Sequence, residues 1–517
     1  MTVQSAAEPP SPRGQLSRVG ALNTAIGLLG AALTFLMLAL IASKFGGSAG
    51  SDAYFFMLSL VTVGTALLGG LVSAVMLPQF VEVRVRTGLA QASDLASHLL
   101  GWVLLLCTWL VIALAVFHDA FFALASRFPE AQLQAHRGIL GWLGPVLFLS
   151  VLAEYLRLLL LGSGRYVNAA LMALFTPFVL VVLLLAGDSI QEDSLAPALA
   201  LSRALMLAVA LVSLWRAGVV LRPSLRRHAG VARFARVSAP YGPASLVTHL
   251  STFFFDYMAS GLGAGVLTAV TLAHRVFALP LMLLVTPVLE IARVRLAEHQ
   301  ARGDLASFQR QYAQLSVLVL YLALPAGVLF FVFPHDIISL LFQRGAFSAQ
   351  DAAVAADCLQ VLAWSVPLGC FFTLNGRVVE SFQQLGLPAL LGSMGNLSLI
   401  ALTYGLVGMF GFLGIPLARL AVDLVYLLPL GICLLRRHGV RVDLVQLLGT
   451  LGRAALACAP PVGLALAVRG MWVAPDSPPP AGLAVIAVIA MGVVYAVLVL
   501  WMDARSRAAV MSIKGGA

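Results

Sequence analysis

Runs of about twenty apolar residues recur along almost the whole chain, and each is long enough to cross roughly 30 Å of hydrocarbon as a helix. Inside hydrocarbon a backbone must satisfy its own donors and acceptors, which an α-helix does within one segment. Lipid then solvates the outside of the molecule, and helices meet through small residues and close packing. The 46 glycines suit that role. Of the 517 residues 61% are hydrophobic and 10% charged, against about a quarter charged in a soluble domain. The expectation is an all-α polytopic membrane protein of about 14 transmembrane helices.

The spans read as 21–43, 53–80, 95–117, 139–161, 167–186, 195–215, 239–260, 267–290, 313–333, 352–374, 387–408, 415–435, 447–468 and 481–502. With the N-terminus placed inside, 22 of the 32 Lys and Arg fall in inside connections and 5 in outside ones (Lys44, Arg127, Arg137, Arg344 and Arg469). This asymmetry puts both termini in the cytoplasm. It also disposes of the nucleic-acid partner that a net charge of +10 would otherwise suggest, because the arginines alternate between loops. Cys107, Cys358, Cys370, Cys433 and Cys458 lie in apolar runs without metal-ligand spacing, so no metal site is expected. Residues 1–20 lack the short apolar run and cleavage site of a signal peptide and read as a cytoplasmic tail. Leu221–Arg236 is the longest inside connection. It reads either as a basic amphipathic segment on an anionic leaflet or as a solvated linker.

The two sides of that linker repeat each other. Ala42-Ser43-Lys44-Phe45-Gly46-Gly47 leaves the first span, and Ala259-Ser260-Gly261-Leu262-Gly263-Ala264 leaves the seventh, 217 residues on. Arg84-Val85-Arg86 with Asp94-Leu95-Ala96-Ser97 returns as Arg293-Val294-Arg295 with Asp304-Leu305-Ala306-Ser307, at an offset of 209 to 210. A duplicated six-helix half follows. Because each copy holds an even number of spans, the copies share one orientation, as in parallel-repeat transporters. The organisation is a tail (1–20), a six-helix bundle (21–217), a basic linker (218–238), a second six-helix bundle (239–436), two extra helices (437–502) and a tail (503–517).

Leu341–Asp351, LFQRGAFSAQD, reads as a short amphipathic connector on the outer side. Together with Phe45-Gly46-Gly47, Ser51-Asp52-Ala53-Tyr54-Phe55-Phe56 and Ala273-His274-Arg275 with Leu279-Pro280, it resembles the MviN/MurJ lipid II flippase family of the multidrug/oligosaccharidyl-lipid/polysaccharide exporter superfamily. The resemblance implies two bundles around a cationic cavity. A sugar-pyrophosphate head would cross there, with its undecaprenyl tail in lipid along a groove made with the last two helices. It implies no covalent chemistry and no cofactor. The energy source would be the membrane potential or a coupling cation, sodium or proton. Its partners would be a lipid-linked glycan, membrane lipids and cell-envelope biosynthesis proteins, at the bacterial inner membrane. The chain departs from the family pattern in its first two helices. Anchored on Phe45-Gly46, the family's Arg-Asp pair falls on Met37-Leu38 and an earlier arginine near Ala31. The second-helix arginine, counted from Asp52, falls at Thr65.

Charge at mid-bilayer costs about 2.5–3.5 kcal/mol on insertion scales, so each intramembrane ionisable residue needs a reason. Arg275 is the one expected cavity arginine that is matched; its planar fork suits a pyrophosphate, and snorkelling is the structural alternative. Arg203 has no partner at helical spacing and is a candidate to replace missing cavity charge. Asp52 is a substrate-contact candidate that also suits a helix N-terminus. Asp256, with Asn396 on a companion helix, is the candidate coupling site; alternatively Asp256 pairs with Arg275. His249 shares the Asp256 face. Glu154 with Arg157 and Arg419 with Asp423 stand at pairing distance along their helices. Pro280 and Pro287 are the leading hinge candidates.

The leading function is a flippase for lipid II or a related polysaccharide repeat unit. The alternatives are an ion-coupled exporter of small amphiphiles, a membrane-embedded glycan transferase, or a transport-inactive scaffold. The transferase needs a sizeable outer loop with a catalytic acid, and the longest here, about 118–138 and 334–351, are short.

Overall fold

The structure is a computed structural model that describes residues 12–187, 190–239, 242–382, 386–437, 439–472 and Tyr495. The fourteenth span at 481–502, Tyr495 apart, and the tail 503–517 lie outside the described residues. Among the described residues every regular element is a helix. Packing divides the chain into two units, Met1–Phe45 with Ala49–Phe253, and Gly46–Ser48 with Phe254–Ala517.

The first unit holds α1 (Pro12–Phe45), α2 (Ala49–Leu71), a π-helical turn at Val72–Met76, α3 (Leu77–Thr87) and α4 (Leu89–Val116). Three short helices follow, α5 (His118–Ala125), α6 (Glu130–Ala135) and α7 (Arg137–Leu140). Then come α8 (Leu143–Gly162), α9 (Tyr166–Leu171), α10 (Phe175–Leu185), α11 (Leu195–Arg216), α12 (Ala229–Ser238) and most of α13 (Gly242–Ala259). The residues read as an N-terminal tail are therefore helical from Pro12. The α8 helix is the most enclosed, with 67% of its apolar window buried against 28% for α1. It packs on α2, α4 and α11, and the Tyr155 hydroxyl donates to the Ala96 carbonyl at 2.7 Å.

The second unit continues with α14 (Val266–Phe277), a π-helical turn at Leu281–Val285, α15 (Thr286–Ala301), α16 (Leu305–Val332), α17 (Pro334–Phe342) and α18 (Ala349–Leu362). It ends with α19 (Ser365–Ser381), α20 (Gly386–Phe410), α21 (Gly414–Val422), a π-helical turn at Asp423–Leu427, α22 (Leu428–Arg437) and α23 (Leu444–Trp472).

Among the described residues ten helices are long and apolar enough to cross a membrane, or eleven if the pair bent by 50° between Leu362 and Ser365 counts as one span. The count differs from fourteen for three reasons. Residues 390–437 count as one stretch although α20 packs back on α21. The helix α13 is not among those that qualify. The last span lies outside the described residues.

The loops of the repeat also differ from the sequence reading. Asp304 caps α16, its carboxylate accepting the Ser307 amide at 2.9 Å, but Asp94 lies inside α4. Gly88, at φ 98°, turns the chain directly after α3, whereas α15 runs on to Ala301 before Gly303 turns it at φ 69°. The same four residues thus cap one helix and sit within the other.

Each π-helical turn has one cause. Pro78, Pro287 and Pro429 each stand two residues beyond a turn. A proline lacks the amide proton and its ring crowds the carbonyl four residues back. That carbonyl belongs to the central residue of the turn in every case: Ala74, Leu283 and Val425. Widening to i→i−5 bonding moves it aside; Leu77, Thr286 and Leu428 donate to Val72, Leu281 and Asp423. The first two turns keep the repeat offset of 209 (72 to 281, 78 to 287). Pro287→Ala is expected to restore α-helical bonding there, protecting the new amide at 287 from hydrogen exchange and raising Tm by about 2–4 °C. An unprotected amide would mean that neighbouring packing, not the ring, holds the turn.

Leu341–Asp351 resolves into a helix stop, a turn and a helix start. The Arg344 guanidinium donates to the Leu340 and Leu341 carbonyls at 2.6 and 3.0 Å, closing the end of α17. Gly345 turns at φ 61°. Ser348 and Asp351 then form a capping box for α18. The Asp351 carboxylate also accepts the Gly47 amide at 3.3 Å. Gly46, at φ 62°, lies so close that a Cβ there would stand 2.8 Å from the Ala346 carbonyl carbon. Gly46→Ala is expected to cost about 2 kcal/mol or more, since a left-handed residue costs about 1–2 kcal/mol before the clash is counted. Thermal unfolding in detergent measures it, and an unchanged Tm would contradict the fit.

The linker docks on the first unit. The Arg222 amide donates to Ser97 Oγ at 3.0 Å, Arg233 pairs with Glu82 at 3.3 Å, and α12 packs on α4.

Candidate functional site

The α2 sequence places Thr62, Thr65, Ala66, Gly69 and Ser73 along one helical face, because residues three and four apart stack on an α-helix. Small and hydroxyl side chains on that face leave space, and a cavity of about 350 Å³ opens there inside the first unit. Glu154 of α8 and Arg203 of α11 complete its lining. Gly69 is what lets Glu154 in: a Cβ at 69 would stand 2.9 Å from Glu154 Cγ.

Glu154 is held in a bidentate pair by Arg157, Nε to Oε2 and Nη2 to Oε1, both at 2.7 Å. The pairing expected from helical spacing is therefore present, and it sits at the edge of a cavity. Arg419 pairs with Asp423 at 3.0 Å in the second unit, also as spaced.

Arg203 is not neutralised in this way. Its Nη1 meets only the Met206 thioether, at 3.7 Å, a weak acceptor. Its Nε is buried without a hydrogen-bond partner among the described residues, and so is the Thr65 hydroxyl. Two orphaned buried donors on residues that line one cavity are unusual, since buried polar groups are nearly always bonded. A guanidinium fork beside a free hydroxyl is a donor set for an anion, and phosphate oxygens fit it bidentately.

Thr65 is also the position where the family pattern expects an arginine. Sequence reasoning saw that position as empty and saw Arg203 as unsupported. The fold places both on one cavity, with the charge supplied by α11 instead of α2. The missed signal was the hydroxyl and glycine face of α2 opposite a lone intramembrane arginine.

The remaining candidates are placed as follows. Asp52 is fully buried in the first turn of α2. It lies about 20 Å from Thr65 along the helix at ~1.5 Å per residue, so it is not part of the cavity and sits where a carboxylate complements the helix N-terminus. Arg275 is exposed on α14 and makes no hydrogen bond or ion pair among the described residues. The alternative in which Asp256 neutralises Arg275 is therefore set aside. Asp256 on α13, Asn396 on α20 and His249 on α13 are each half-buried. His274 bonds the Val270 carbonyl at 3.0 Å through Nδ1 and stacks on Phe255.

One cluster has metal-ligand chemistry. Asp94, His98 and His228 bring ligand atoms within 4.8 Å of one another. His228 Nδ1 accepts the Gly230 amide at 3.0 Å, which leaves its proton on Nε2, 3.6 Å from Asp94. The His98 and His228 rings stack at 4.9 Å. This tautomer, assigned from the hydrogen bonds, serves docking of the linker and leaves no lone pair on Nε2 for a metal.

Comparison with known proteins follows these features. The family model described as lipid II flippase MurJ matches residues 41–477. A probable lipid II flippase MurJ of Rhizobium meliloti is 25% identical over 232 residues, 43% of each chain. Its counterpart in Bdellovibrio bacteriovorus is 26% identical over 175 residues, 34% of each. The one in Thermotoga maritima is 28% identical over 181 residues, 34% of this chain and 37% of that one. The chain thus spans under half the length of the curated relatives it matches. In fold it is similar to a solved lipid II flippase MurJ in an inward closed conformation, at TM-score 0.78 and 16% identity over 92% of this chain and 98% of that one. It is also similar to an inward-facing multidrug resistance MATE family transporter, at TM-score 0.66 and 14% identity over 79% and 94%.

Proposed function

Because the chain belongs to the lipid II flippase MurJ family, we propose that it carries a polyprenyl-pyrophosphate-linked glycan, lipid II or a related polysaccharide repeat unit, across the bacterial cytoplasmic membrane by alternating access. The observation that carries this reading is the pair of orphaned donors, Arg203 Nε and Thr65 Oγ1, on one cavity. In this reading Arg203 takes the pyrophosphate that the family pattern assigns to a second-helix arginine, and Arg275, exposed on α14 of the second unit, is a further cation for the transport path. Asp52 serves the fold. Asp256 and Asn396 hold the coupling cation, sodium or proton, unless the membrane potential drives the step alone. The arginine-rich loops and both termini face the cytoplasm, where the substrate would arrive from cell-envelope biosynthesis proteins.

The test is lipid II flipping in cells depleted of their own flippase and supplied with this chain. Rescue supports lipid II. Failure to rescue, with loss of a surface polysaccharide on deletion, moves the substrate to a polysaccharide repeat unit. Failure of both would leave a scaffold. Arg275→Ala is expected to lower transport about tenfold, the value of one exposed charge-assisted contact of about 1.4 kcal/mol, with the protein level in the membrane unchanged. Normal transport would remove Arg275 from the path.

Ion-coupled export of a small amphiphile is the second reading, favoured by Glu154, a carboxylate on the same cavity. It predicts cation-dependent efflux of an amphiphilic dye that Glu154→Gln abolishes.

A further inference from the structure

A second cavity, of about 490 Å³, lies within the second unit where α16 meets the segment leading into α23. Nothing in the transport reading uses it. The loop that walls it is fixed by backbone bonds. The Arg441 amide donates to Gln309 Oε1 at 2.8 Å, and the Arg441 carbonyl accepts from Gln309 Nε2. Asp443 then caps α23, its carboxylate accepting the Gln446 amide at 2.9 Å. The site is thus held by the Gln309 and Asp443 side chains on neighbouring main chain and does not depend on the arginine side chains for its shape.

The charge on its lining is incompletely matched. Arg310 and Arg441 both line it. Among the described residues the Arg310 side chain bonds only to Ser307 Oγ, at 3.1 Å, and the Arg441 guanidinium makes no hydrogen bond or ion pair. Asp443 is the one lining carboxylate. Asp304, just outside the lining, feels the Arg310 charge, so Arg310 is partly balanced, and the Arg441 guanidinium is the cation left for a phosphodiester monoanion. Val442, buried, and Leu447 give the cavity an apolar side. A strongly polar mouth over an apolar wall suits a headgroup whose chains continue into lipid. The volume is in the range of small-ligand sites, about 300–1,000 Å³.

We propose that this cavity is a headgroup site for an anionic phospholipid, such as phosphatidylglycerol, with the phosphodiester between Arg310 and Arg441. Arg310, in the second turn of α16, and Arg441, in the connection leading to α23, both lie on the arginine-rich side, where the leaflet is anionic and attracts basic residues near its surface. The bound lipid joins α16 to α23 by bridging a residue of each wall.

The test uses the full-length protein, extracted in mild detergent, delipidated, and titrated with phosphatidylglycerol or phosphatidylcholine. Bound lipid is read by native mass spectrometry and stabilisation by Tm. The expected result is tenfold or greater preference for phosphatidylglycerol, accompanied by a rise in Tm. Arg310→Gln with Arg441→Gln loses both, Arg310→Lys with Arg441→Lys keeps most of the binding, and Arg226→Gln with Arg227→Gln in the linker changes neither. If the double glutamine variant does not fold, Arg441→Gln alone, at a side chain bonded to nothing among the described residues, carries the comparison. No preference in the wild type, or preference retained in the glutamine variants, overturns the proposal. Equal loss in the linker variant would show general surface attraction and overturn it too. Displacement of phosphatidylglycerol by a polyprenyl pyrophosphate, with the same dependence on Arg310 and Arg441, would reassign the cavity to the transported lipid.

Discussion

Arg203→Ala is expected to lower transport by about thirtyfold or more while leaving the amount of protein in the membrane unchanged. The guanidinium is the charged donor of the first-unit cavity, and hydrogen bonds to charged groups are worth about 1.5–3 kcal/mol each, so loss of one contact of about 2 kcal/mol reaches that factor. Arg203→Lys recovers only part, because a lysine offers a point charge without the planar fork. The sharper result is a rescue. Thr65→Arg in the Arg203→Ala background returns charge to the same cavity from α2 and is expected to recover about a tenth of the activity or more, if one of two contacts is re-formed at about 1.4 kcal/mol below optimum. Flipping of the lipid-linked glycan in cells, with membrane protein level as control, measures all three. Normal transport by Arg203→Ala would remove the cavity from the substrate path. A dead rescue variant with normal protein level would mean that geometry at α11, and not charge alone, is required.

The second large effect is on stability. Glu154→Leu leaves Arg157 without its bidentate partner on the most enclosed helix of the first unit. Breaking a buried pair from one side costs about 3–5 kcal/mol. The two side chains are 24% and 32% exposed, so the lower end, about 2–3 kcal/mol after screening, is expected. Replacing both, Glu154→Leu with Arg157→Leu, is expected to cost under about 1 kcal/mol, since neither charge is then left alone. Thermal unfolding of the purified protein distinguishes the two. Equal losses in the single and double variants would show that packing, not charge balance, sets the cost.

Much of this architecture was legible in the sequence because its signals are local. Apolar runs specify spans, and helical spacing paired Glu154 with Arg157 and Arg419 with Asp423. The connector LFQRGAFSAQD carries its own helix stop, turn and capping box, so it could be read in isolation. The proximity of Arg203 to Thr65 could not, because 138 residues and several helices separate them. Only packing of α2, α8 and α11 brings them to one cavity. The different roles of Asp94 and Asp304 were hidden for a related reason. Identical tetrapeptides respond to where the nearest glycine turns the chain, at 88 in one copy and at 303 in the other. The second cavity was illegible because its clamp joins Gln309 to a backbone 132 residues away.

The π-helical turns also mark where the two halves stop matching. The turns at Val72–Met76 and Leu281–Val285, each widened by its proline, stand at the repeat offset of 209, so both halves carry the same kink at the same place. The turn at Asp423–Leu427 has no counterpart at that offset among the described residues, since α11 runs unbroken to Arg216. The two halves therefore bend alike in one helix and differently in another, and the duplication does not make them mechanically interchangeable.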